Sequence, residues 1–454
     1  MRYDVVIRNG TVVDGSGVAR YRADVGVRHG RIATIGRIRD RGDREIDAEG
    51  HVVTPGFIDA HTHMDAQIMW DPLGTCSAWH GVTSVVMGNC GFTLAPARAA
   101  ERHLVVRNLE RAEDISADAM AAGIEWSWET FPEYLDTLQA LPKGINYASN
   151  IGHSALRTWA MGERAFTEPA TEADLAAMER ELRDALRAGA IGFTTSRTNN
   201  HETSDERPVA SRLADWAEVS RLVNVMGELG VGLFEIAQEP TARSADPAVR
   251  QEFFGRMVDL SVSSGVPFTF GVLSTTRDGS DWQGQLDMID AAAAAGGRMI
   301  GQAHCREFSV LLSFKTRLPF DNLPEWQEVR SLPLEAQARE LRDPAVRARL
   351  IEAAHAGNYG RAIGAEARKP DYRWIRIMDS PVPPNETVAA RAERLGKDPV
   401  ELMIDLALDT NFEQFFVQAI ANRDPEHLLS IMRHPRTVVT FSDSGAHVSQ
   451  IMDS

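Results

Sequence analysis

The sequence has 454 residues and a formal net charge of −16, from 64 acidic and 48 basic side chains. This acidic balance argues against a nucleic acid or an anionic membrane as the main partner, because both require a basic surface. With 43% hydrophobic residues, no signal-peptide core and no apolar run long enough to cross a membrane, we expect a soluble, cytoplasmic protein. It has only three cysteines, and this small, odd number does not fit a disulfide framework.

The first fifty residues predict short β-strands separated by turns. Apolar and polar residues roughly alternate in DVVIRNGTVVDG, ADVGVRHGRIATIG and EIDAEGHVVTPG, and glycine-containing turns lie between these runs. A meander of this size cannot bury both of its faces alone. We therefore predict that residues 1–53 form part of a small β-sandwich packed on a larger domain.

Residues 54–454 predict an α/β fold, a (β/α)8 barrel of the TIM type. Helical periodicity that ends at a glycine, as in 172–189 and 214–230, separates short apolar runs that each end in polar or small residues. Barrels of this kind keep their chemistry at the carboxyl ends of the strands. The eight runs are VVTPGFIDAHTH, GVTSVVMGNCG, INYASNIGHS, AIGFTTSRT, VGLFEIAQE, PFTFGVLST, RMIGQAHCRE and TVVTFSDSGAH.

Two features depart from a regular barrel. Residues 306–400, rich in Arg, Glu and Pro, predict a helical insertion that partly covers the barrel mouth as a lid. The sequence ends eleven residues after Asp443, which leaves little room for an eighth helix or for the C-terminal part of the sandwich. We expect that part to be absent, either because the chain is truncated or because a second chain supplies it; an exposed incomplete sandwich would favour a homo-oligomer or such a partner.

Three motifs at predicted strand ends carry the chemistry. On a strand, His61 and His63 point to the same face and make half of a divalent-metal site, with zinc the first choice; two solvent-facing loop histidines are the alternative. The Cys90 thiolate is a third ligand, unless it is a small buried cysteine. Asp443 is a fourth and can accept a proton from metal-bound water; a helix N-cap is its alternative. The first and eighth strands adjoin in a closed barrel, which favours the metal role.

Five further side chains near predicted strand ends are candidate substrate contacts. Arg197 and Arg306 can each clamp a carboxylate through two hydrogen bonds, with a plain surface position as the alternative. A structural hydrogen bond explains His153 as readily as a substrate contact does. His304 and His447 also lie at strand ends, and His447, four residues after Asp443, could position the substrate or the aspartate.

Taken together, PGFIDAHTH, GVTSVVMGNCGFTLAP, NIGHSALR, GAIGFTTSR and FSDSGAH resemble the amidohydrolase superfamily, and within it the N-acyl-D-amino-acid deacylase (D-aminoacylase) branch. The resemblance extends from about residue 2 to 450. It implies a (β/α)8 barrel flanked by a small β-sandwich, with zinc at the barrel mouth. The family's HxH pair, GNCG cysteine and strand-eight aspartate match His61, His63, Cys90 and Asp443.

The sequence departs from this branch at strands five and six, where the resemblance implies a histidine each. The corresponding LFEIAQE and FTFGVLST contain none, and Glu235, Gln238 or Glu239 are the oxygen donors available instead. No lysine lies between residues 144 and 314, which argues against the carboxylated lysine that bridges two metals elsewhere in the superfamily. We therefore expect one Zn²⁺ per chain rather than two.

The resulting hypothesis is a metal-dependent hydrolase of linear amide bonds acting on a small-molecule N-acyl amino acid. Zinc held by His61, His63 and Cys90 lowers the pKa of its water and polarises the acyl carbonyl, while Asp443 takes the proton and returns it to the leaving amine. One alternative is a non-catalytic or half-catalytic subunit of an assembly in which another chain supplies the missing C-terminal part. Another is a hydrolase of cyclic amides or other C–N bonds.

Overall fold

The computed structural model describes residues 2–276, 279–360, 369–447 and 452–453. Its strands are β1 Tyr3–Val12, β2 Tyr21–Arg28, β3 Arg31–Gly36, β4 Gly42–Asp47, β5 Val52–Val53, β6 Phe57–Asp59, β7 His61–Thr62, β8 Val82–Met87, β9 Asn146–Ser149, β10 Ile151–Gly152, β11 Gly192–Ser196, β12 Leu233–Ala237, β13 Phe268–Gly271, β14 Met299–Ala303, β15 Phe308–Ser313, β16 Ile375–Ile377, β17 Phe415–Ala421, β18 Thr437–Val439, β19 Phe441–Ser444 and β20 Met452–Asp453.

The α-helices alternate with many of these strands. They are α1 Thr75–Trp79, α2 Arg102–Glu110, α3 Ala117–Gly123, α4 Phe131–Ala140, α5 His153–Met161, α6 Glu172–Ala188, α7 Trp216–Leu229, α8 Pro247–Ser264, α9 Ser280–Ala294, α10 Pro324–Arg330, α11 Leu334–Glu340, α12 Pro344–Ala356, α13 Val388–Leu395, α14 Pro399–Asp409 and α15 Pro425–Arg433. Within the described ranges, no helix is both long and apolar enough to cross a lipid bilayer.

One compact unit comprises residues 1–58 and 79–83. Its sheet has the order β3-β2-β1-β4, and β5 also pairs with β1. The first three strands form an antiparallel meander, whereas β4 and β5 run parallel to β1, so β1 is the central strand. Tyr3, Val6 and Ile38 pack together as a small buried cluster.

The second unit, residues 59–78 and 84–454, has a mixed α/β fold built on parallel strands. Its six-stranded sheet has the order β10-β11-β12-β13-β14-β18, with every pair parallel. Two further parallel pairs are β8 with β9 and β19 with β7. Each of the eight predicted apolar runs contains at least one strand. Because parallel strands end at the same edge of a sheet, side chains that follow them are brought close together.

The helix signals in the sequence coincide with observed caps. Helix α6 is preceded by its N-cap Thr171, whose hydroxyl accepts a hydrogen bond from the Asp174 backbone N–H in a capping box, and it is followed by its C-cap Gly189. Helix α7 is preceded by its N-cap Asp215 and followed by its C-cap Gly230, which has the left-handed φ of 67° that favours glycine at this position. The two helices predicted at 172–189 and 214–230 are therefore confirmed.

The insertion differs from the helical segment expected at 306–400. It contains helices α10 to α13, but also β15 and β16, which belong to an antiparallel sheet of order β16-β17-β15-β20. The segment continues beyond residue 400 through α14 and β17 to Ala421, and β20 is Met452–Asp453. Phe314, Trp326 and Phe416 belong to a buried core of its own. The sequences FSVLLS and FFVQAIA favour strands because they are apolar, aromatic and β-branched. The intervening helices are rich in Arg, Glu and Pro. These residues dominate the composition of the segment, so composition alone does not indicate the strands.

Candidate metal centre

The two histidines of the HxH motif lie where β7 ends. Strand β7 pairs with β19, and the His63 backbone N–H donates to the Ser444 carbonyl at 2.7 Å. Both imidazoles are buried, at 2% and 1% exposure, with ring centroids 5.4 Å apart. The His61 ring stacks on Phe441 at 3.9 Å. These contacts fix the two rings side by side away from solvent, which argues against solvent-facing loop histidines.

Cys90 lies directly beyond β8, in the sharp turn Asn89-Cys90-Gly91. Its φ of 55° is left-handed, and Gly91 follows with a φ of 81°. A Cβ added at Gly91 would come within 3.1 Å of the Thr195 Cα, so the close packing of this turn on β11 requires glycine. The turn brings Cys90 Sγ to 3.4 Å from His61 Nε2.

Asp443, within β19, contacts both histidines of the motif. Its Oδ1 lies 3.2 Å from His63 Nε2 and 3.8 Å from His61 Nε2, and its Oδ2 lies 3.4 Å from His447 Nε2. Asp443 has a φ of 63°, an uncommon conformation for a residue other than glycine. At Gly445 an added Cβ would lie 2.7 Å from the Met64 Cα. This segment is thus held closely against the residues that follow β7.

The side chains form two overlapping groups that could each hold a metal ion. One consists of His61, His63 and Cys90, and the other of His63, Glu113 and Asp443; within each group all ligand atoms lie within 4.8 Å of one another. Glu113 is 1% exposed, and its Oε2 lies 3.4 Å from His63 Nε2. The sequence analysis missed Glu113, because nothing in the spacing of ERAED distinguishes it from the neighbouring acidic residues.

The electrostatics of this region fit a cation. Burial, followed by the charges of Glu235, Glu113 and Asp443, raises the pKa of the Cys90 thiol well above its usual value. Burial raises the pKa of Glu235 to about 8 and also raises the pKa of Glu113. Oε1 of each glutamate is buried without a hydrogen-bond partner among the described residues. The negative charges of the ionised thiolate and carboxylates repel one another, and a divalent cation would relieve this repulsion. Thiolate, imidazole and carboxylate are also donors that zinc prefers.

Gln302 orients the first histidine. Its Oε1 lies 2.8 Å from His61 Nδ1, so that Nε2 of the same ring faces Cys90 and Asp443. Burial lowers the pKa of His61 to about 3, which keeps the imidazole neutral and able to donate a lone pair. Metal-binding histidines in proteins are commonly oriented through the second ring nitrogen in this way. The sequence analysis did not identify Gln302.

These side chains lie in a cavity of about 1990 Å³. His61, His63, Cys90 and Asp443 contribute to its lining, together with Glu235 from β12 and the Gln238 and Glu239 that follow this strand. The insertion contributes another part of the lining, which includes Phe308, Val310, Arg317, Tyr359 and Ile420. The cavity therefore combines a polar floor of potential metal ligands with a partly apolar wall.

Of the five predicted substrate contacts, only His447 is among the described residues that line this cavity. His153 is fully buried, with Nδ1 2.9 Å from Thr195 Oγ1 and Nε2 2.9 Å from Glu218 Oε1, so structural hydrogen bonds occupy both ring nitrogens. Arg197 donates to Glu239 Oε1 at 3.1 Å and also to the Ala214 carbonyl.

The remaining two candidates lie beyond β14. His304 is 1% exposed and packs on Phe441, with ring centroids 4.4 Å apart; neither ring nitrogen has a hydrogen-bond partner among the described residues. The carbonyl of Arg306 accepts a hydrogen bond from the Asn422 side chain at 3.4 Å. Substrate binding by Arg197, His153, His304 and Arg306 stays a prediction that this arrangement does not support.

Comparison with known proteins gives the family. The model of the amidohydrolase family matches residues 44–453. The chain belongs to the amidohydrolase family. This member is therefore a hydrolase of carbon–nitrogen bonds other than peptide bonds, and its sequence and fold are those of the D-aminoacylase-like branch, which confirms the resemblance found in the sequence.

Three similar proteins illustrate the relationship. An uncharacterised protein of Mycobacterium tuberculosis is 28% identical over 98% of this chain and 74% of its own length. The N-acyl-D-glutamate deacylase of Alcaligenes xylosoxydans xylosoxydans is 42% identical over 43% of this chain and 37% of its own. The structure of N-acyl-D-glutamate deacylase from Bordetella bronchiseptica, complexed with zinc and a phosphonate inhibitor, superposes with a TM-score of 0.60 and 25% identity, covering 98% of this chain and 76% of that one.

Proposed function

We propose that this amidohydrolase removes the acyl group from N-acyl-D-amino acids in a metal-dependent reaction. The observation that carries the proposal is the buried group of His61, His63 and Cys90 with Asp443 beside it, at the floor of a large cavity. The similarity to two N-acyl-D-glutamate deacylases, one of them a zinc complex, supports the substrate class and the metal.

We infer that His61, His63 and Cys90 hold one Zn²⁺ per chain, with the carboxylates of Asp443 and Glu113 beside it. When bound there, zinc would supply Lewis-acid chemistry, which polarises an acyl carbonyl and lowers the pKa of water towards neutral pH. The absence of histidine from β12 and β13 is compensated in this proposal by carboxylates, since Glu113 and Glu235 both have a buried oxygen without a hydrogen-bond partner among the described residues.

Asp443 is the residue that moves the proton in this proposal. Burial raises the pKa of its carboxyl, but hydrogen bonds from His447 and His63 outweigh burial and hold the pKa well below its usual range. The ionised carboxylate accepts a proton from the attacking water and delivers it to the amine nitrogen as the amide C–N bond breaks. His447, at 3.4 Å from Asp443 Oδ2, orients the carboxylate.

We also infer that the eight strand-containing runs close as a (β/α)8 barrel, with residues 1–53 as a portion of a small sandwich. The parallel pairing of β19 with β7 supports this inference, because it makes the last run a neighbour of the first. The same pairing brings Asp443 to the two histidines, as a closed barrel requires.

The test begins with the metal content of protein purified without added metal, measured by inductively coupled plasma mass spectrometry. We expect about one zinc per chain in the wild type and loss of zinc and of activity in His61→Ala. Activity is then measured on N-acetyl-D-amino acids, their L-enantiomers and a cyclic amide. If the protein hydrolyses only the cyclic amide, the proposal is wrong and the protein is a cyclic-amide hydrolase. Protein that takes up no zinc would favour the non-catalytic subunit.

A further inference from the structure

The cavity contains arginines as well as the carboxylates of the metal centre. Among the described residues, those that line it include Arg111, Arg243 and Arg317. Arg111 is paired, with its Nη1 3.4 Å from Glu206 Oε1. Neither Arg243 nor Arg317 forms a hydrogen bond or an ion pair through its side chain with any residue that the structure describes. These two guanidinium groups are therefore open to a ligand.

Arg243 follows the strand that carries Glu235. Strand β12 ends at Ala237 and leads into the 3₁₀ turn Pro240–Arg243, which packs on α8 and α9. Oε2 of Glu235 accepts a hydrogen bond from the Cys90 backbone N–H at 2.8 Å. Arg243 therefore follows the end of β12 and lines the same cavity as Glu235, whereas Arg317 lies in the turn after β15 of the insertion.

Two carboxylates on the neighbouring elements, Glu239 and Asp281, already have other partners. Glu239 lies 3.1 Å from both Arg197 and Arg256. Asp281, at the start of α9, accepts hydrogen bonds from the backbone N–H and the hydroxyl of Thr275 at 2.7 and 2.6 Å. Asp281 is the carboxylate whose charge acts on Arg243, and it forms no direct contact with the guanidinium.

The side chain of Arg243 is exposed to the cavity that it lines. The protein atoms around it lower the pKa of the guanidinium below its usual value, against the opposing charge of Asp281. An arginine remains charged under such conditions. A guanidinium that lines a cavity and has no partner among the described residues can bind an incoming anion, and a carboxylate matches its geometry through two parallel hydrogen bonds.

We propose that Arg243 is a specificity-determining residue that binds a carboxylate of the substrate's amino acid. This inference rests on the proposed deacylase function and gives it a substrate class, namely N-acyl amino acids that bear a free carboxylate. The carboxylate can be the α-carboxylate or that of an acidic side chain, and these two sources share the same chemistry at the guanidinium.

The test compares Arg243→Met with wild type on N-acetyl-D-methionine, N-acetyl-D-methioninamide and N-acetyl-D-glutamate. The exposed Arg180→Met on α6 is the matched control. We expect wild type to prefer the free acid over the amide. We expect Arg243→Met to raise the KM for the acid by about tenfold to a hundredfold, with kcat within a few-fold and the amide unaffected. Zinc content must equal that of wild type.

The substrates distinguish the two carboxylates. A higher KM for both free acids assigns Arg243 to the α-carboxylate, and a higher KM for the glutamate substrate alone assigns it to the acidic side chain. Unchanged KM values for both acids overturn the inference, as does an effect confined to a parallel Arg317→Met variant. If wild type with bound zinc hydrolyses none of the three compounds, the deacylase function itself is wrong, which is a separate outcome.

Discussion

At the scale of single residues, Asp443 is expected to separate turnover from metal retention. Asn at this position keeps the shape but cannot accept the proton, so we expect Asp443→Asn to lose about 10²- to 10⁴-fold in kcat. The three ligand atoms of His61, His63 and Cys90 are untouched, and most of the zinc should remain. Steady-state kinetics and metal analysis of the same preparation check this, and wild-type turnover in Asp443→Asn would exclude the proton-transfer role.

Glu113 gives a second prediction at this scale, one about metal affinity. Glu113→Gln removes a buried charge 3.4 Å from His63 Nε2, so we expect the zinc dissociation constant to rise by about tenfold to a hundredfold. Competition with a chromogenic chelator measures this constant. Glu110→Gln is the matched control, since Glu110 lines the same cavity at the end of α2 but is not part of either ligand group. Equal affinities in the two variants would contradict the prediction.

The sequence predicted the part of the candidate site that depends on short motifs at strand ends and on the two-residue period of side chains along a strand. His61, His63, Cys90 and Asp443 were expected to meet, and the structure brings them together. Glu113 was missed because its position depends on a loop that no periodic pattern specifies. The left-handed φ angles of Cys90 and Asp443 could not be predicted from the sequence either, because tertiary packing imposes them against the local backbone preference of these residues.

At the scale of elements, Glu218 connects α7 to α5. Its carboxylate contacts His153 Nε2 at 2.9 Å and Arg157 Nη1 at 2.6 Å, and Arg157 is fully buried. We expect Glu218→Gln to lower the free energy of unfolding by about 3 to 5 kcal/mol, because it leaves a buried guanidinium uncompensated. Chemical denaturation at neutral pH measures this. Glu228→Gln, which affects an exposed pair on the same helix, should cost no more than about 1 kcal/mol.

The pH dependence of this contribution has a defined sign. Burial raises the pKa of Glu218, but His153 and Arg157 outweigh burial and lower the pKa from 4.5 to about 2. A carboxyl whose pKa is lower in the folded state stabilises the fold above its unfolded pKa and loses this effect as the pH falls. The stability difference between wild type and Glu218→Gln should therefore shrink as the pH falls from 4.5 to about 2. A constant difference would show that the charge is not the cause.

The elements themselves were predictable where local signals agree with the tertiary fold. Helices α6 and α7 are each preceded by a capping residue and followed by a glycine, and both were located from these residues alone. The strands of the insertion were missed because β15 pairs with β17 about a hundred residues further along the chain. A strand of this kind depends on a distant partner, which the local sequence does not reveal.

At the scale of the whole molecule, bound zinc is expected to stabilise the fold. Metal binding would compensate the buried carboxylates and the Cys90 thiol, whose pKa values burial raises. At free zinc about 100-fold above the dissociation constant, mass action adds about 2.7 kcal/mol. We expect the Tm of chelator-treated wild type to rise by several degrees on zinc addition, with no rise for His61→Ala, as followed by differential scanning fluorimetry. A zinc-independent Tm in wild type would argue against a metal at this site.

The pairing of β7 with β19 also has a consequence for how the protein folds. The Ala60 backbone N–H donates to Thr440 Oγ1 across 380 positions of sequence, so the metal ligands meet only after one of the longest loops in the chain has closed. Contacts of such high sequence separation form slowly, because the entropy of closure is lost before the contact is gained. Capacity to bind zinc should therefore appear late during refolding, and a metal-sensitive dye would report completion of the fold rather than its onset.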